Sequence, residues 1–173
     1  MAIIHEFQKS LKVGEEGEEH ILEYLRRSDT VTNIIDVRDS APYQKMDVDF
    51  LVTLTDGKEY KVEVKTDTYL SGNIYYETLS SLEHDSIGCF EKTKADFLFY
   101  YFINAKQLYL FSMVQYKDWF GLKKDKFDSL GYQKKPINKG WGGKTYTSVG
   151  YAFPVSILEE ENPRWMRKVY VNF

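Results

Sequence analysis

Hydrophobic and polar positions follow two different periods along the first third of the chain, one helical and one extended. Residues 14–27 carry acids in their first turns and arginines in their last turn, which suits the dipole of an α-helix. Residues 31–36 are largely β-branched, and residues 47–54 and 59–66 alternate polar and apolar side chains, so three strands are predicted. The Asp-Gly dipeptide between the last two predicts a hairpin.

Apolar runs and polar connections divide the rest of the chain. Residues 95–102 are almost continuously apolar, which is typical of a strand buried on both faces. Residues 123–144 are rich in lysine and glycine and predict a long loop or flap. The other predicted elements are strands at 73–79, 107–111, 145–153 and 169–173, and short helices within 86–94, at 112–120 and from Ser156, which forms a capping box with Glu159. This order predicts an α/β (α+β) fold with a central mixed sheet flanked by helices, in a single domain spanning 1–173.

Composition excludes some classes of protein. The 173 residues are 43% hydrophobic, enough for a packed core, and the single Cys89 excludes an intramolecular disulfide framework and a cysteine-based zinc site. No apolar run approaches the ~18 residues that cross a bilayer. The first residues lack the apolar stretch of a secretory signal. A soluble, cytoplasmic protein without membrane contact is therefore expected.

The formal net charge of −3 conceals an uneven distribution of charge. Residues 1–90 contain 18 acidic and 9 basic residues, whereas residues 91–173 contain 8 acidic and 14 basic residues. Such asymmetry indicates an electrostatic partner, with a solvated lysine-rich surface as the alternative explanation. The acidic half raises the question of whether its carboxylates converge.

The register of the hairpin decides whether acidic side chains of its two strands meet. Glu63 and Lys65 share one face of the second strand, about 7 Å apart. A two-residue loop would place Asp49 opposite Val64, on the other face. A three-residue loop that ends in a left-handed Gly57 places Asp49 opposite Glu63, and we predict this register because such loops favour glycine at their last position.

The predicted helix offers a third carboxylate. Glu18 precedes the apolar stripe of Ile21, Leu22 and Leu25 by helical spacings, so it is predicted on the buried face. A carboxylate in that position is costly unless it meets a cation or hydrogen-bond donors. It is therefore predicted to converge with the carboxylates of the hairpin.

The segments GEEGEEHILEYL, DVDFLV and YKVEVK together resemble the signature of the PD-(D/E)XK nuclease superfamily, which includes restriction endonucleases, phage exonucleases and Holliday junction resolvases. The resemblance covers about residues 14–66. The residues that match the signature acid, the (Asp/Glu)-x-Lys element and the helical glutamate are Asp49, Glu63 with Lys65, and Glu18. Val48 stands where the signature has proline, so Asp47 is an alternative to Asp49 as the signature acid.

The resemblance implies a restriction-endonuclease-like αβββαβ core and a Mg²⁺-dependent phosphodiesterase in which Mn²⁺ can substitute. A divalent ion activates water and stabilises the charge that develops at phosphorus, and Mg²⁺ is usually held by one or two carboxylates with waters and phosphate oxygens. The implied metal-site residues are Asp49, Glu63 and the backbone carbonyl of Val64 as ligands, with Glu18 holding a metal-bound water or a second ion. Lys65 would orient the attacking water or stabilise the developing charge.

The sequence thus predicts a metal-dependent DNA endonuclease of restriction, resolvase or phage type, acting on double-stranded or branched DNA. Basic residues interleaved with aromatic ones suit contact with a phosphate backbone. Those expected to bind DNA are Lys123, Lys124, Lys134, Lys135, Lys139, Trp141 and Lys144. Cutting both strands with one site per chain favours a homodimer.

Two other functions remain open from the sequence. The first is a catalytically silent nucleic-acid-binding or protein-interaction module on the same fold. Glu59 and Lys61 repeat the spacing of Glu63 and Lys65, and alternating charges are common on a solvated strand face, so the Glu-x-Lys pattern alone does not establish an enzyme. The second is an enzyme that acts on RNA.

Overall fold

The computed structural model describes residues 4–172, with side chains from residue 10 onward except at position 141. Within that range the chain forms five α-helices and thirteen β-strands. The helices are α1 (Phe7–Arg26), α2 (Ala41–Gln44), α3 (Cys89–Lys92), α4 (Met113–Ser129) and α5 (Ser156–Glu161). The strands are β1 (Ile4–Glu6), β2 (Val31–Asp36), β3 (Phe50–Leu54), β4 (Glu59–Asp67), β5 (Asn73–Ser81), β6 (Ser86–Ile87), β7 (Phe97–Phe102), β8 (Gln107–Ser112), β9 (Gln133–Lys134), β10 (Ile137–Lys139), β11 (Thr145–Thr147), β12 (Val149–Pro154) and β13 (Met166–Tyr170).

Two compact units share the chain, and each is assembled from separate segments. Unit 1 contains the described residues up to Lys12 together with Tyr69–Lys92 and Lys117–Pro163. Unit 2 contains Val13–Thr68, Thr93–Tyr116 and the described residues from Arg164 onward. The residues that match the nuclease signature all belong to unit 2.

Unit 2 is built on a six-stranded sheet with the order β13-β8-β7-β4-β3-β2. Its neighbouring strands are antiparallel except for β4 and β7, which are parallel. One face is covered by α1, whose Ile21, Leu22 and Leu25 are buried against Phe50 and Val64 of the sheet. The expected mixed α/β architecture with a mixed central sheet is confirmed.

The sheet's central strand β7 has the burial that its composition predicts. From Leu98 to Phe102 every side chain is at most 5% exposed, because both faces of the strand are covered. Alternate residues of β7 therefore pack on different sides of the sheet: Phe99 and Tyr101 belong to the core under α1. Tyr100 lies on the other side, level with Lys65 in the pairing with β4.

Unit 1 contains a four-stranded sheet of order β6-β5-β12-β9 and a three-stranded sheet of order β1-β10-β11. Its core is aromatic. Tyr76 of β5 stacks on Phe120 of α4 with ring centroids 3.8 Å apart, and Phe127 of α4 stacks on Phe153 of β12 at 4.8 Å. These buried aromatic contacts fix α4 to the four-stranded sheet.

The expected loop at 123–144 is wrong in its first part, because α4 continues to Ser129. Phe127 is 1% exposed and supplies an apolar anchor about two turns beyond the point where the helix was predicted to end. Lys123 and Lys124 lie over the rings of Trp119 and Tyr151 on the aromatic side of the helix, whereas Lys126 is exposed. Residues 133–139 then form the short strands β9 and β10 instead of an open flap.

Other details of the elements also differ from the sequence prediction. Helix α1 begins at Phe7, before the acidic segment. The strand predicted at 145–153 is two strands in different sheets, separated at Ser148. The capping box is wrong, since Val155 is the N-cap of α5 and no side chain caps the helix.

The distribution of charged residues between the two units differs from their distribution between the two halves of the sequence. Unit 1 contains 11 acidic and 11 basic residues, and unit 2 contains 15 acidic and 12 basic residues. Neither unit is basic as a whole. The positive charge is concentrated locally instead, since residues 129–158 contain four lysines and no acidic residue. No helix within residues 4–172 combines the length and the apolar character needed to cross a bilayer.

Candidate metal centre

The hairpin formed by β3 and β4 has the three-residue loop that the sequence predicts. Gly57 adopts a left-handed conformation with φ of 82°, and its N–H donates to the carbonyl of Leu54 at 2.9 Å. The strand pairing starts with Phe50 opposite Val62 and continues in that register to the loop. The predicted register is confirmed. It places Asp49, the residue before Phe50, beside Glu63.

Asp49 lies immediately before β3 and is fixed by two hydrogen bonds to the residues that flank Glu63. Its N–H donates to the carbonyl of Val62 at 2.9 Å, and its Oδ2 accepts from the N–H of Val64 at 2.7 Å. The Asp49 and Glu63 carboxyl groups are also hydrogen-bonded to each other. The structure therefore brings together the two carboxylates that the sequence placed across the hairpin.

Asp47 does not continue the strand, contrary to the expectation that it shares a strand face with Asp49. Its φ of 48° is left-handed, and its carbonyl accepts a hydrogen bond from Thr93 Oγ1 at 2.8 Å. The turn ends the alternation of side chains before Asp49. Asp47 nevertheless lies near enough to Glu63 to raise the pKa of that carboxyl.

Burial disfavours ionisation of the two central carboxyl groups, and nearby negative charges add to the effect. Burial is the main cause that raises the pKa of Asp49 to about 6, and the charge of Glu18 adds to the rise. Burial, followed by the charge of Asp49, raises the pKa of Glu63 well above its ordinary value, while Lys65 opposes the rise. In both groups the neutral form is therefore favoured more than in an isolated carboxyl group, and a bound cation would oppose this shift.

The raised pKa values of the two carboxyl groups predict that the metal-free protein loses stability as pH rises. The folded pKa values of Asp49 and Glu63 lie above those of the unfolded chain, so the folded state binds more protons. The free energy of unfolding should fall by on the order of 2 kcal/mol from about pH 4 to about pH 7. Urea unfolding in EDTA measures this slope, and Glu63→Gln should flatten it. An equally steep slope in that variant would contradict the assignment.

Lys65 follows Glu63 by two residues on the same face of β4, so its ammonium lies near the carboxyl pair. Tyr100 lies beside Lys65 on the neighbouring strand, and its hydroxyl donates to Asp67 Oδ2 at 2.8 Å. Sequence reasoning missed this buried Tyr100–Asp67 contact. The alternation of β4 identifies Asp67 as the next residue on the face, but the partner from β7 depends on the parallel register.

Glu18 is placed differently from the other two carboxylates. It belongs to α1 and forms an ion pair with Arg38, with Oε2 and Nη1 3.3 Å apart. Burial raises the pKa of Glu18 and the contact with Arg38 opposes that rise. Sequence reasoning missed Arg38 as well. The available signal was an isolated arginine among acids, two residues after Asp36.

Close contact between α1 and β4 sets the position of Glu18 relative to the sheet. Gly17 is buried, and a Cβ atom at that residue would lie 1.9 Å from Thr66 Oγ1. Only a glycine allows the helix to approach the strand this closely. In the Gly17-Glu18 sequence of α1, packing against β4 therefore explains the glycine, and the ion pair with Arg38 explains the glutamate.

The donor set fits a hard divalent ion with two protein carboxylates. Mg²⁺ commonly takes one or two carboxylates and retains waters, which matches Asp49 and Glu63. Such an ion would supply the positive charge that favours their ionised forms. Within residues 4–172, no group of three or more His, Cys, Asp or Glu side chains is arranged to hold a metal. Glu18 is therefore not gathered with the hairpin carboxylates in this arrangement.

The residues expected to bind DNA all lie in unit 1 and fall into two groups. Lys123 forms an ion pair with Glu161 at 2.6 Å, and Lys124 forms one with Asp128 at 3.0 Å, so their charges are already matched within the unit. The other lysines are exposed, and they are Lys134, Lys135, Lys139 and Lys144. The side chain of Trp141 lies outside the described part of the chain.

Comparison with known proteins finds no match for this chain. No protein-family model, no curated protein and no solved structure matches the chain.

Proposed function

We propose that unit 2 is a metal-dependent phosphodiesterase centre of the PD-(D/E)XK type, with a restriction-endonuclease-like core, that hydrolyses DNA. The observation that carries the proposal is the placement of the Asp49 and Glu63 carboxyl groups next to each other across the hairpin, beside Lys65. A buried pair of this kind is costly as two anions, and a divalent cation would relieve the repulsion. Mg²⁺ is the proposed ion, and Mn²⁺ would substitute for it.

Each residue of the proposed centre has a role that follows from its position. Asp49 and Glu63 would hold the ion with the backbone carbonyl of Val64, and the N–H of Val64 keeps the Asp49 carboxylate oriented. When bound, the ion would lower the pKa of water and neutralise charge on the phosphate. Lys65 would orient the attacking water or stabilise negative charge at the phosphorus, since its ammonium adjoins Glu63.

The proposed substrate is double-stranded or branched DNA, and the exposed lysines of residues 129–158 are the proposed backbone contacts. A stretch with four lysines and no acidic residue would bind phosphate without sequence preference. Lys123 and Lys124 would contribute less, because each is paired with an acid. Two copies of the chain would be needed to cut both strands together, so a homodimer on DNA is part of the proposal.

Metal-dependent cleavage tests the proposal directly. We expect purified protein to cut plasmid or branched DNA with Mg²⁺ or Mn²⁺ and to be inactive in EDTA. Lys65→Ala should lower the rate about a hundredfold or more, with DNA binding retained. Lys61→Ala is the matched control, because Lys61 also lies two residues from Glu63 on β4, but on the side toward the hairpin loop. Full activity of Lys65→Ala would contradict the proposed role.

A catalytically silent binding module is the second candidate. The ion pair of Glu18 with Arg38 favours it, because this pair leaves two acidic side chains for a metal where the family signature has three. Binding of DNA without cleavage, unchanged by Mn²⁺ and by Glu63→Gln, would support that candidate. Binding that strengthens with Mn²⁺ and depends on Glu63 would support the metal centre. The same assay with RNA tests the remaining alternative substrate.

A further inference from the structure

We propose that Arg38 is a positioning residue that withholds Glu18 from the metal centre, so that each chain binds one divalent ion through Asp49 and Glu63. The inference rests on the proposed function, because it concerns how the same centre is limited. It departs from the family signature, in which the helical glutamate belongs to the ligand set. The basis is the set of contacts that the Arg38 guanidinium makes.

Three carboxylates surround the guanidinium of Arg38. Nη1 lies 3.3 Å from Glu18 Oε2, and Nη2 lies 2.7 Å from Glu19 Oε1. Nε donates to Asp36 Oδ1 at 2.9 Å, while Nη2 also contacts Asp36 Oδ2 at 2.5 Å. All three nitrogens are therefore engaged, and the two-pronged contact with Asp36 fixes the plane of the group.

Packing holds this arrangement in place. The Arg38 side chain is 21% exposed, and its guanidinium carbon lies 5.2 Å from the centroid of the Phe50 ring. Phe50 is fully buried and is the first residue of β3, directly after Asp49. The guanidinium of Arg38 therefore packs on the first residue of β3, directly after the metal-binding Asp49. It also contacts α1 through its ion pairs with Glu18 and Glu19.

Charge explains why this contact matters for the metal centre. Glu18 is close enough to Asp49 for its charge to disfavour ionisation of that carboxyl. The guanidinium of Arg38 compensates the negative charge of Glu18, and its Nη1 donates a hydrogen bond to Glu18 Oε2. Removing Arg38 would leave Glu18 uncompensated at the edge of the centre, where a metal ion is the alternative counter-charge.

Calorimetric titration of the full chain with MnCl₂ near neutral pH tests the inference. Wild type should bind one ion, and Glu18→Gln should change the dissociation constant less than about twofold. Arg38→Gln should tighten binding about tenfold or add a second ion. The double variant Arg38→Gln with Glu18→Gln should return to the wild-type value, because the gain depends on the freed carboxylate.

Two controls separate a positioning role from a structural one. Arg27→Gln removes an exposed arginine that pairs with Glu23 on the same helix, and it should leave Mn²⁺ binding unchanged. Arg38→Lys keeps the charge without the two-pronged contact and should give an intermediate affinity. Circular dichroism and thermal unfolding confirm that each variant is folded before it is titrated.

The outcomes distinguish this inference from the proposed function. A tenfold loss of Mn²⁺ affinity in Glu18→Gln alone would overturn the role of Arg38 while leaving the metal centre intact, because Glu18 would then already be a ligand. Unchanged binding in Arg38→Gln would overturn it as well. Absence of Mn²⁺ binding to wild type, or binding that survives Glu63→Gln, would instead reject the metal centre itself.

Discussion

Glu63→Gln is expected to abolish metal-dependent DNA cleavage, with a loss of about a thousandfold or more, while the metal-free protein becomes more stable above about pH 6. Glutamine keeps the shape of the side chain but cannot supply a negative charge to an ion. It also removes the repulsion by the Asp49 charge that, after burial, raises the pKa of Glu63. Few other substitutions would improve the fold and eliminate the activity together, so this combination is diagnostic of a metal centre.

Glu59→Gln is the matched control for that experiment. Glu59 lies on the same strand and face, also two residues before a lysine, but it is exposed at the end of β4 next to the hairpin loop. Cleavage and stability of this variant should stay close to wild type. The comparison needs cleavage rates with Mg²⁺ and urea unfolding in EDTA. Comparable cleavage by Glu63→Gln and Glu59→Gln would be incompatible with a metal ion held by Glu63.

Gly17→Ala is expected to destabilise the protein by about 3 kcal/mol, although alanine is normally the better helix former. Its Cβ would lie 1.9 Å from Thr66 Oγ1 and 2.7 Å from Thr66 Cβ, so α1 has to move away from β4. The movement separates Glu18 and the apolar stripe of α1 from the sheet. Thermal or urea unfolding measures the loss. Thr66→Ala in the same chain should restore part of it, since two of the three clashing atoms are removed.

Gly14→Ala separates this contact from the general effect of glycine in a helix. Gly14 lies one turn earlier in α1, where a Cβ would meet only Glu18 Oε1, at the ordinary distance of 3.9 Å. Alanine at this position should stabilise the protein by about 0.5–1 kcal/mol, because glycine loses more conformational freedom in a helix. If both substitutions proved equally stabilising, the close contact of α1 with β4 would be refuted.

Local patterns were sufficient to predict the hairpin that carries the centre. The alternation of β4 and the glycine at the end of a three-residue loop determine the register, and both are properties of neighbouring residues. Strand β2 begins and ends where its β-branched composition predicts. The juxtaposition of Asp49 and Glu63 follows from these short-range features, which explains why sequence reasoning located it.

Features that depend on distant segments were beyond the sequence patterns. The left-handed turn at Asp47 is held by Thr93, which is 46 residues away along the chain. The pairing of Glu18 with Arg38 requires α1 and the end of β2 to meet. A buried glutamate predicts a cation nearby, but it does not identify which arginine or lysine supplies it.

The lysine-rich segment illustrates a different limit. Its charged residues suggested a loop. Helix α4 nevertheless continues through it, because aromatic residues at helical spacing pack on one face and Phe127 makes the last of these contacts. The division into two units was also absent from the composition, because no linker of unusual sequence separates them. Charge counted over halves of the sequence consequently misrepresented the charge of either compact unit.

The interleaving of the two units along the chain has a consequence for synthesis on the ribosome. The chain passes between the units five times, so neither unit is a continuous stretch that can be released and finished first. The hairpin of β3 and β4 can form early, but the edge strand β13 pairs with β8 only after residues 166–170 have emerged. Nascent chains that end before β13 would leave β8 as an unpaired strand edge, a template for aggregation. Completion of unit 2 thereby depends on a segment that is synthesised after the segments of unit 1.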